Sequence, residues 1–190
     1  TGVQTCALPI SNPLTRYPQA LERAAAIKML VLDVDGVLTN GGLLVGHDGK
    51  EAFKIFDSLD GHGIKLLQSI GVTVAIITGR SSGMVEGRAK ELGIKYVQMG
   101  VANKFDALNL LLEQTKLSLT DCAAIGDDWP DLAILPKVYF SACPAQGHEE
   151  VKKRVHYVTQ RSGGAGAVRE ICDLILRAQG HYDRLLQEAL

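Results

Sequence analysis

Two aspartates, Asp33 and Asp35, follow an apolar run near the start of the chain. Side chains alternate along an extended segment, so both carboxylates share one side while Val34 faces away. Such crowding of negative charge is relieved by a hard divalent ion with oxygen ligands, such as Mg²⁺. Asp33 could then attack phosphorus, and Asp35 could protonate the leaving oxygen and later activate water. The alternative is a solvated turn, which the buried strand before the pair disfavours.

Two further side chains could bind a phosphoryl group. Thr78 precedes Gly79 at the end of a second apolar run, where a hydroxyl and backbone donors could hold a phosphoryl oxygen; alternatively, Thr78 belongs to a helix cap. Lys104 begins a predicted helix and could neutralise charge that develops on the phosphoryl group. An isolated lysine is otherwise usually a solvated surface residue.

Three more aspartates follow a third apolar run. Asp127 would complete the metal's ligands, together with Asp33 and the backbone carbonyl of Asp35. Asp128 and Asp131 would hold the metal's waters or orient the lysine. The alternative is an acidic helix start that complements the helix dipole.

Apolar periodicity and turn residues predict the elements that position these side chains. Strands are predicted at Ile27–Val34, Val72–Thr78, Tyr96–Met99, Cys122–Ile125, Val138–Ser141 and His156–Val158, and helices at Gly61–Ile70, Ser82–Leu92, Asn103–Thr115 and Ala167–Ala178. A hairpin is predicted from Leu43–Val45 and Ala52–Phe56. The alternation indicates an α/β fold with a doubly wound, mainly parallel sheet and a β-hairpin insertion. Ligands bind beyond the carboxyl ends of such strands, where Asp33, Thr78 and Asp127 fall.

The composition excludes several classes of protein. With 20 basic and 21 acidic residues, the 190-residue chain has no electrostatic case for binding nucleic acid. The apolar runs are too short to span a bilayer. Four cysteines without a C-x-x-C pair indicate buried thiols in a reducing cytoplasm, and the five histidines show no ligand spacing. The cysteines are Cys6, Cys122, Cys143 and Cys172.

The chain divides into four segments. Residues 1–11 resemble the translation of a sequencing adapter, so we set them apart from the fold and expect them to be loosely ordered. Residues 12–26 are a lead-in, 27–180 form a single phosphatase domain, and 181–190 are a tail.

The order D-x-D, Thr, Lys and D-D-x-x-D resembles the haloacid dehalogenase superfamily of phosphohydrolases, from Ile27 to about Arg177. This resemblance implies a Rossmannoid fold and an aspartyl-phosphate intermediate on Asp33, with Asp35 as the acid and base. It places Thr78 and Lys104 on the phosphoryl group, and Mg²⁺ on Asp33, Asp35 and Asp127.

Many members of this superfamily carry a cap domain that closes the site. The segment between Thr39 and Thr78 must already supply a hairpin, a helix and a strand, and domains rarely fall below about 50 residues. We therefore expect a member without a cap. Its site would be open to water unless a second subunit covers it, which indicates an oligomer.

Three further segments resemble the family of 3-deoxy-D-manno-octulosonate 8-phosphate (Kdo 8-phosphate) phosphatases: Phe56–Lys65, Ile77–Arg80 and Gly163–Glu170. The resemblance implies a cytoplasmic homotetramer in lipopolysaccharide biosynthesis. It also implies that the substrate is bound by Asp35, Asp57, Ser58, Leu59, Asp60, Gly61, Lys65, Arg80, Arg88 and Lys104. Some members have a basic residue in place of Leu59 and an arginine in place of Lys65, and lysine cannot form the same bidentate fork.

Three alternatives stay open at this point. The substrate could be another sugar phosphate, such as a nonulosonate 9-phosphate. The chain could also be a non-catalytic oligomerisation module, although such a module would be expected to lose Asp33 or a metal ligand. The glycines at 163–166 are either a flexible lead-in to the last helix or a segment that reaches a neighbour's active site.

Overall fold

The computed structural model describes Tyr17 and residues 19–190. The adapter-like segment and Cys6 lie outside the described residues. The helices are α1 (Gln19–Ala25), α2 (Ser58–Ser69), α3 (Gly83–Leu92), α4 (Lys104–Thr115), α5 (Glu149–Lys152), α6 (Ala167–Ala178) and α7 (Tyr182–Glu188). Two short 3₁₀ turns occupy Leu119–Asp121 and Trp129–Ala133.

Six parallel strands form the central sheet, and a separate hairpin lies between the first two of them in sequence. The sheet strands are β1 (Met29–Leu32), β4 (Thr73–Ile77), β5 (Tyr96–Gln98), β6 (Cys122–Ile125), β7 (Phe140–Cys143) and β8 (Tyr157–Val158). Their order is β5-β4-β1-β6-β7-β8. The hairpin pairs β2 (Leu44–Val45) with β3 (Glu51–Phe53). The predicted fold class is confirmed.

Helices cover both faces of the sheet, as the doubly wound prediction requires. Leu30 and Leu32 of β1 pack into the core formed with α1, α2, α3 and α6. Met29 and Val31, on the opposite face, join a second core that includes residues of α4. Because every residue of β1 is buried, the strand reads as a continuous apolar run rather than an alternating one.

Several boundaries differ from the sequence prediction. Helix α2 begins at Ser58, three residues before the predicted start, because the Asp57 carboxylate accepts hydrogen bonds from the backbone N–H of Leu59 and Asp60 and so caps it. Strand β7 begins two residues after the predicted Val138, whose N–H still bonds to Ile134 within a turn. Helices α1, α5 and α7 were not predicted.

The segment between Thr39 and Thr78 holds the hairpin, α2 and β4, and it contains no cap domain. Among the described residues, no helix combines the length and apolarity needed to cross a bilayer. The three described cysteines are buried and free of disulfides: Cys122, Cys143 and Cys172. Burial raises the pKa of the Cys122 and Cys143 thiols to about 12.

Candidate active site

The site lies at β1, where the strand order changes direction. The chain adds β4 and β5 on one side of β1, and β6, β7 and β8 on the other. Strand β1 lies between β4 and β6, so the carboxyl ends of these three strands meet at one edge. Asp33 follows β1, Thr78 follows β4, and Asp127 comes two residues after β6. The backbone N–H of Asp33 donates to Ile125 at 3.2 Å, so the strand ladder continues up to this aspartate.

A buried lysine links two of the carboxylates. The Nζ atom of Lys104 lies 2.8 Å from Asp33 Oδ1 and 2.6 Å from Asp131 Oδ1, and the lysine is only 6% exposed. Asn103 caps α4 and so fixes the helix end that carries the lysine. Burial alone would lower the pKa of Lys104, but the charges of Asp131 and Asp33 raise it, and the ammonium group stays protonated.

Three carboxylates converge beside this lysine. Oxygens of Asp33, Asp127 and Asp131 all lie within 4.8 Å of one another. Burial, followed by the neighbouring charge of Asp131, raises the pKa of Asp33 to about 6 and that of Asp127 to about 7. One ammonium group does not balance three carboxylates, so a divalent cation would relieve the remaining repulsion. An all-oxygen donor set suits Mg²⁺.

Asp131 organises the acidic loop rather than facing the cleft freely. Its Oδ2 accepts hydrogen bonds from the backbone N–H of Asp127 (3.1 Å) and Asp128 (3.2 Å), while its Oδ1 accepts one from Lys104. Asp127 in turn packs against Gly36, where a Cβ atom would lie 2.0 Å from its Oδ2. Glycine at position 36 also has a φ of +90°, which other residues rarely adopt.

The Asp35 side chain is not part of the carboxylate cluster. Its Oδ1 contacts Nζ of Lys54, and its Oδ2 lies 3.5 Å from Nε of Arg80. The predicted metal ligand at this position is the backbone carbonyl, which leaves the side chain available for proton transfer. Sequence reasoning missed Lys54, because a lysine in a hairpin carries no local signal of this contact.

An open cleft of about 800 Å³ lies at these three strand ends. Thr78 is almost completely buried at its floor. The indole of Trp129 stands at its rim, 62% exposed, and its Nε1–H donates to Nδ1 of His148 at 3.2 Å. The predicted site residues in the cleft wall are Asp33, Asp35, Thr78, Arg80, Lys104, Asp127, Asp128 and Asp131.

Comparison with known proteins relates this site to characterised enzymes. A family model described as haloacid dehalogenase-like hydrolase matches residues 99–171. The 3-deoxy-D-manno-octulosonate 8-phosphate phosphatase KdsC of Salmonella typhimurium is 41% identical over 182 residues, which are 96% of this chain and 93% of that protein. The chain belongs to the Kdo 8-phosphate phosphatase family of haloacid dehalogenase-like hydrolases.

Solved structures from this family have the same architecture. The Moraxella catarrhalis phosphatase, in complex with magnesium, phosphate and Kdo, is 40% identical, with a TM-score of 0.87 over 90% of this chain and 98% of that one. The cobalt-bound Haemophilus influenzae phosphatase is 39% identical, with a TM-score of 0.82 over 84% and 93%.

The remaining contacts that the family resemblance implies lie outside the wall of this cleft: Asp57, Ser58, Leu59, Asp60, Gly61, Lys65 and Arg88. Asp57 caps α2. Asp60 is buried and accepts a 2.7 Å hydrogen bond from the backbone N–H of Arg169 in α6. Arg88 donates to the backbone carbonyl of Asp57 at 3.2 Å. Within one chain, Asp57, Asp60 and Arg88 brace α2, and substrate binding by the seven residues stays a prediction.

The glycine-rich segment before α6 (Gly163–Gly166) packs against the loop that follows β1 in its own chain. We call this loop, Asp33–Thr39, the catalytic loop because it carries the predicted nucleophile. The N–H of Gly164 donates to the Val37 carbonyl at 3.0 Å. Gln146 bridges the two segments, because it donates to the Gly36 carbonyl at 2.7 Å and accepts from the N–H of Gly163 at 2.9 Å. Sequence reasoning missed Gln146, which belongs to no recognised motif. Contact between the glycine-rich segment of this chain and a neighbouring subunit stays a prediction.

Proposed function

We propose that the chain is a magnesium-dependent phosphatase that converts Kdo 8-phosphate to Kdo and inorganic phosphate, in lipopolysaccharide biosynthesis. The observation that carries this proposal is the convergence of Asp33, Lys104 and Asp127 at adjoining strand ends. The 41% identity to the Salmonella phosphatase, along nearly the whole chain, supports the substrate. The Moraxella relative with magnesium, phosphate and Kdo supports the cofactor.

The reaction proceeds in two transfers. An Asp33 oxygen forms a bond to phosphorus while the bond from phosphorus to the sugar oxygen breaks, and Asp35 gives its proton to that oxygen. Water then attacks the aspartyl phosphate and passes a proton to Asp35, and phosphate leaves as the Asp33 carboxylate is restored. Lys104 and Thr78 bind the non-bridging oxygens. Magnesium, held by Asp33, Asp127 and the Asp35 carbonyl, would neutralise charge between the carboxylates and the phosphoryl group.

Removal of the metal is expected to stop turnover. EDTA should lower phosphate release to background, and added Mg²⁺ should restore it. Because Mg²⁺ relieves repulsion among the buried carboxylates, it should also stabilise the folded protein, by about 2.7 kcal/mol at one hundred times its Kd. Calorimetric melting with and without Mg²⁺ measures this separately from activity. Full activity in excess EDTA would contradict the metal assignment.

A panel of sugar phosphates tests the substrate. Phosphate release with Mg²⁺ should be fastest for Kdo 8-phosphate, the substrate in the name of the 41% identical Salmonella phosphatase. Lys104 and Arg80 line the cleft as cations that could pair with its phosphate and carboxylate. Leu59 stands where some family members have a basic residue, and Lys65 where some have arginine. A nonulosonate 9-phosphate is therefore the second candidate in the panel. Substantially faster turnover of that nine-carbon acid would replace the first assignment.

We further propose a cytoplasmic homotetramer in which the hairpins are buried between subunits. Support comes from five apolar side chains on or beside the hairpin that are 48–71% exposed in one chain: Leu43, Leu44, Val45, Phe53 and Ile55. Apolar patches of this kind mark interaction surfaces.

The buried, disulfide-free thiols support a reducing compartment. A non-catalytic module is disfavoured, because Asp33, Asp127 and Lys104 are all in place.

Charge placed on the hairpin is expected to break the assembly. Phe53→Glu puts a carboxylate into the proposed apolar contact, so sedimentation analysis should show monomers or dimers at micromolar concentration. Leu110→Glu is the matched control, since Leu110 is 53% exposed on α4, away from the hairpin. A tetramer that persists in the Phe53 variant, or a wild-type protein that is monomeric, would overturn this part of the proposal.

A further inference from the structure

The hairpin reaches the active site through one buried ammonium group. Lys54 follows β3, and its side chain is only 2% exposed. Its Nζ contacts Asp35 Oδ1 and lies 2.8 Å from Oε1 of Glu51, which belongs to β3 itself. A buried lysine without partners would be strongly unfavourable, so these two carboxylates are what keeps the charge in place.

Arg80 completes a cluster of two cations and two carboxylates, which we call the hairpin cluster: Asp35, Glu51, Lys54 and Arg80. The guanidinium lies 3.5 Å from Asp35 and 3.7 Å from Glu51, so each cation faces both acids. The hydrogen bond from Lys54 holds the pKa of Glu51 below its ordinary value, which keeps this pair ionised near neutral pH.

The two cations of the cluster differ in their exposure to the cleft. Arg80 is 47% exposed and lines the cleft, where its guanidinium is accessible to an anionic substrate. Lys54 is withdrawn from solvent and does not line the cleft. If an anion drew Arg80 away from Asp35, Lys54 would be the cation of this cluster that still holds the Asp35 carboxylate.

We propose that Lys54 is a positioning residue for phosphoryl transfer, which holds the Asp35 carboxylate at the cleft in the orientation from which it serves the leaving oxygen. This inference rests on the proposed function of Asp35 as acid and base. Because Lys54 is anchored by Glu51 of β3, the inference also gives Glu51 an indirect part in this positioning. Proton transfer from a positioned group contributes about 10²–10⁴-fold, and misplacement forfeits part of that gain.

The test separates proton donation from other roles by changing the leaving group. A sugar phosphate expels an alkoxide that needs a proton, whereas p-nitrophenyl phosphate expels a stable phenolate that does not. In single-turnover measurements of leaving-group release, Lys54→Met should lose at least about 10-fold on the sugar phosphate. It should stay within about threefold of wild type on the aryl ester. Lys50→Met, at an exposed position of the same hairpin, should leave both rates unchanged.

A second variant covers the case in which Lys54→Met folds poorly. The double variant Lys54→Met, Glu51→Gln removes one positive and one negative charge, so no surplus carboxylate is buried, and it should show the same selective loss. Equal losses on both substrates, or no loss on either, would overturn the positioning role. If the wild type releases nitrophenol but hydrolyses no Kdo 8-phosphate, the proposed substrate fails, and glycerol phosphate then serves as the alkyl ester for the same comparison.

Discussion

Replacement of Asp33 by asparagine is expected to reduce phosphate release by about 10⁴-fold or more, because an amide oxygen does not form the covalent intermediate. The fold should survive. Burial already raises the pKa of Asp33 to about 6, so the ionised side chain is disfavoured in the folded state, and a neutral isostere removes that penalty. Lys104 keeps Asp131 as its partner. Phosphate release and thermal melting, measured on the same preparation, check both statements.

Asp106→Asn provides the matched control for this substitution. Asp106 is exposed in the first turn of α4 and lies outside the cleft wall, so its replacement should change the rate by less than about twofold. Acid quenching during turnover should trap phosphate on wild-type protein and on the control, but not on Asp33→Asn. Near-normal turnover by the Asp33 variant would show that the covalent mechanism is wrong.

Gly163→Ala is the second substitution with a large expected effect, although Gly163 has no side chain that could take part in the reaction. A Cβ atom at this position would lie 1.9 Å from the backbone carbonyl oxygen of Gly36, far inside any real contact. Either the catalytic loop or the glycine segment must move. We expect a loss of about 10²-fold in kcat/KM from displacement of Asp33 and Asp35, and a destabilisation of about 1–3 kcal/mol from overpacking. Urea unfolding and steady-state kinetics measure the two effects.

Gly87→Ala is the control for the Gly163 substitution. Gly87 lies inside α3, and a Cβ atom there would meet nothing within 4 Å. Alanine should therefore stabilise the helix by about 0.5–1 kcal/mol and leave turnover unchanged. If the two alanine variants behaved alike, the close contact between the glycine segment and the catalytic loop would have no functional importance.

Local sequence signals predicted the bounds of an element correctly where residues at its own ends mark them. Strand β6 was predicted to the residue, because its buried run Cys122–Ile125 ends at Gly126. Helix α6 was also predicted to the residue, because its apolar spacing ends near Gly180. The three strand ends that carry Asp33, Thr78 and Asp127 followed from the same runs, and the parallel sheet then places them at one edge.

Contacts between distant segments could not be predicted in this way. Helix α1 buries Ala20 and Ala24 in the core that includes residues of α6, which lies far away in the chain. With only seven residues, this helix depends on such packing rather than on a pattern in its own sequence. Lys54 meets Asp35 only because the hairpin folds back on the catalytic loop. Gln146 likewise depends on two glycine segments that approach each other in the folded chain.

The burial of Cys122, Cys143 and Cys172 makes the thiols useful reporters of local opening. Alkylating reagents react with thiolates, and groups whose pKa is raised this far supply almost none in the closed state. Modification of each sulfur must therefore wait for its strand or helix to separate from its neighbours. Mass spectrometry after timed exposure to iodoacetamide would then rank how often β6, β7 and α6 are open in a single sample.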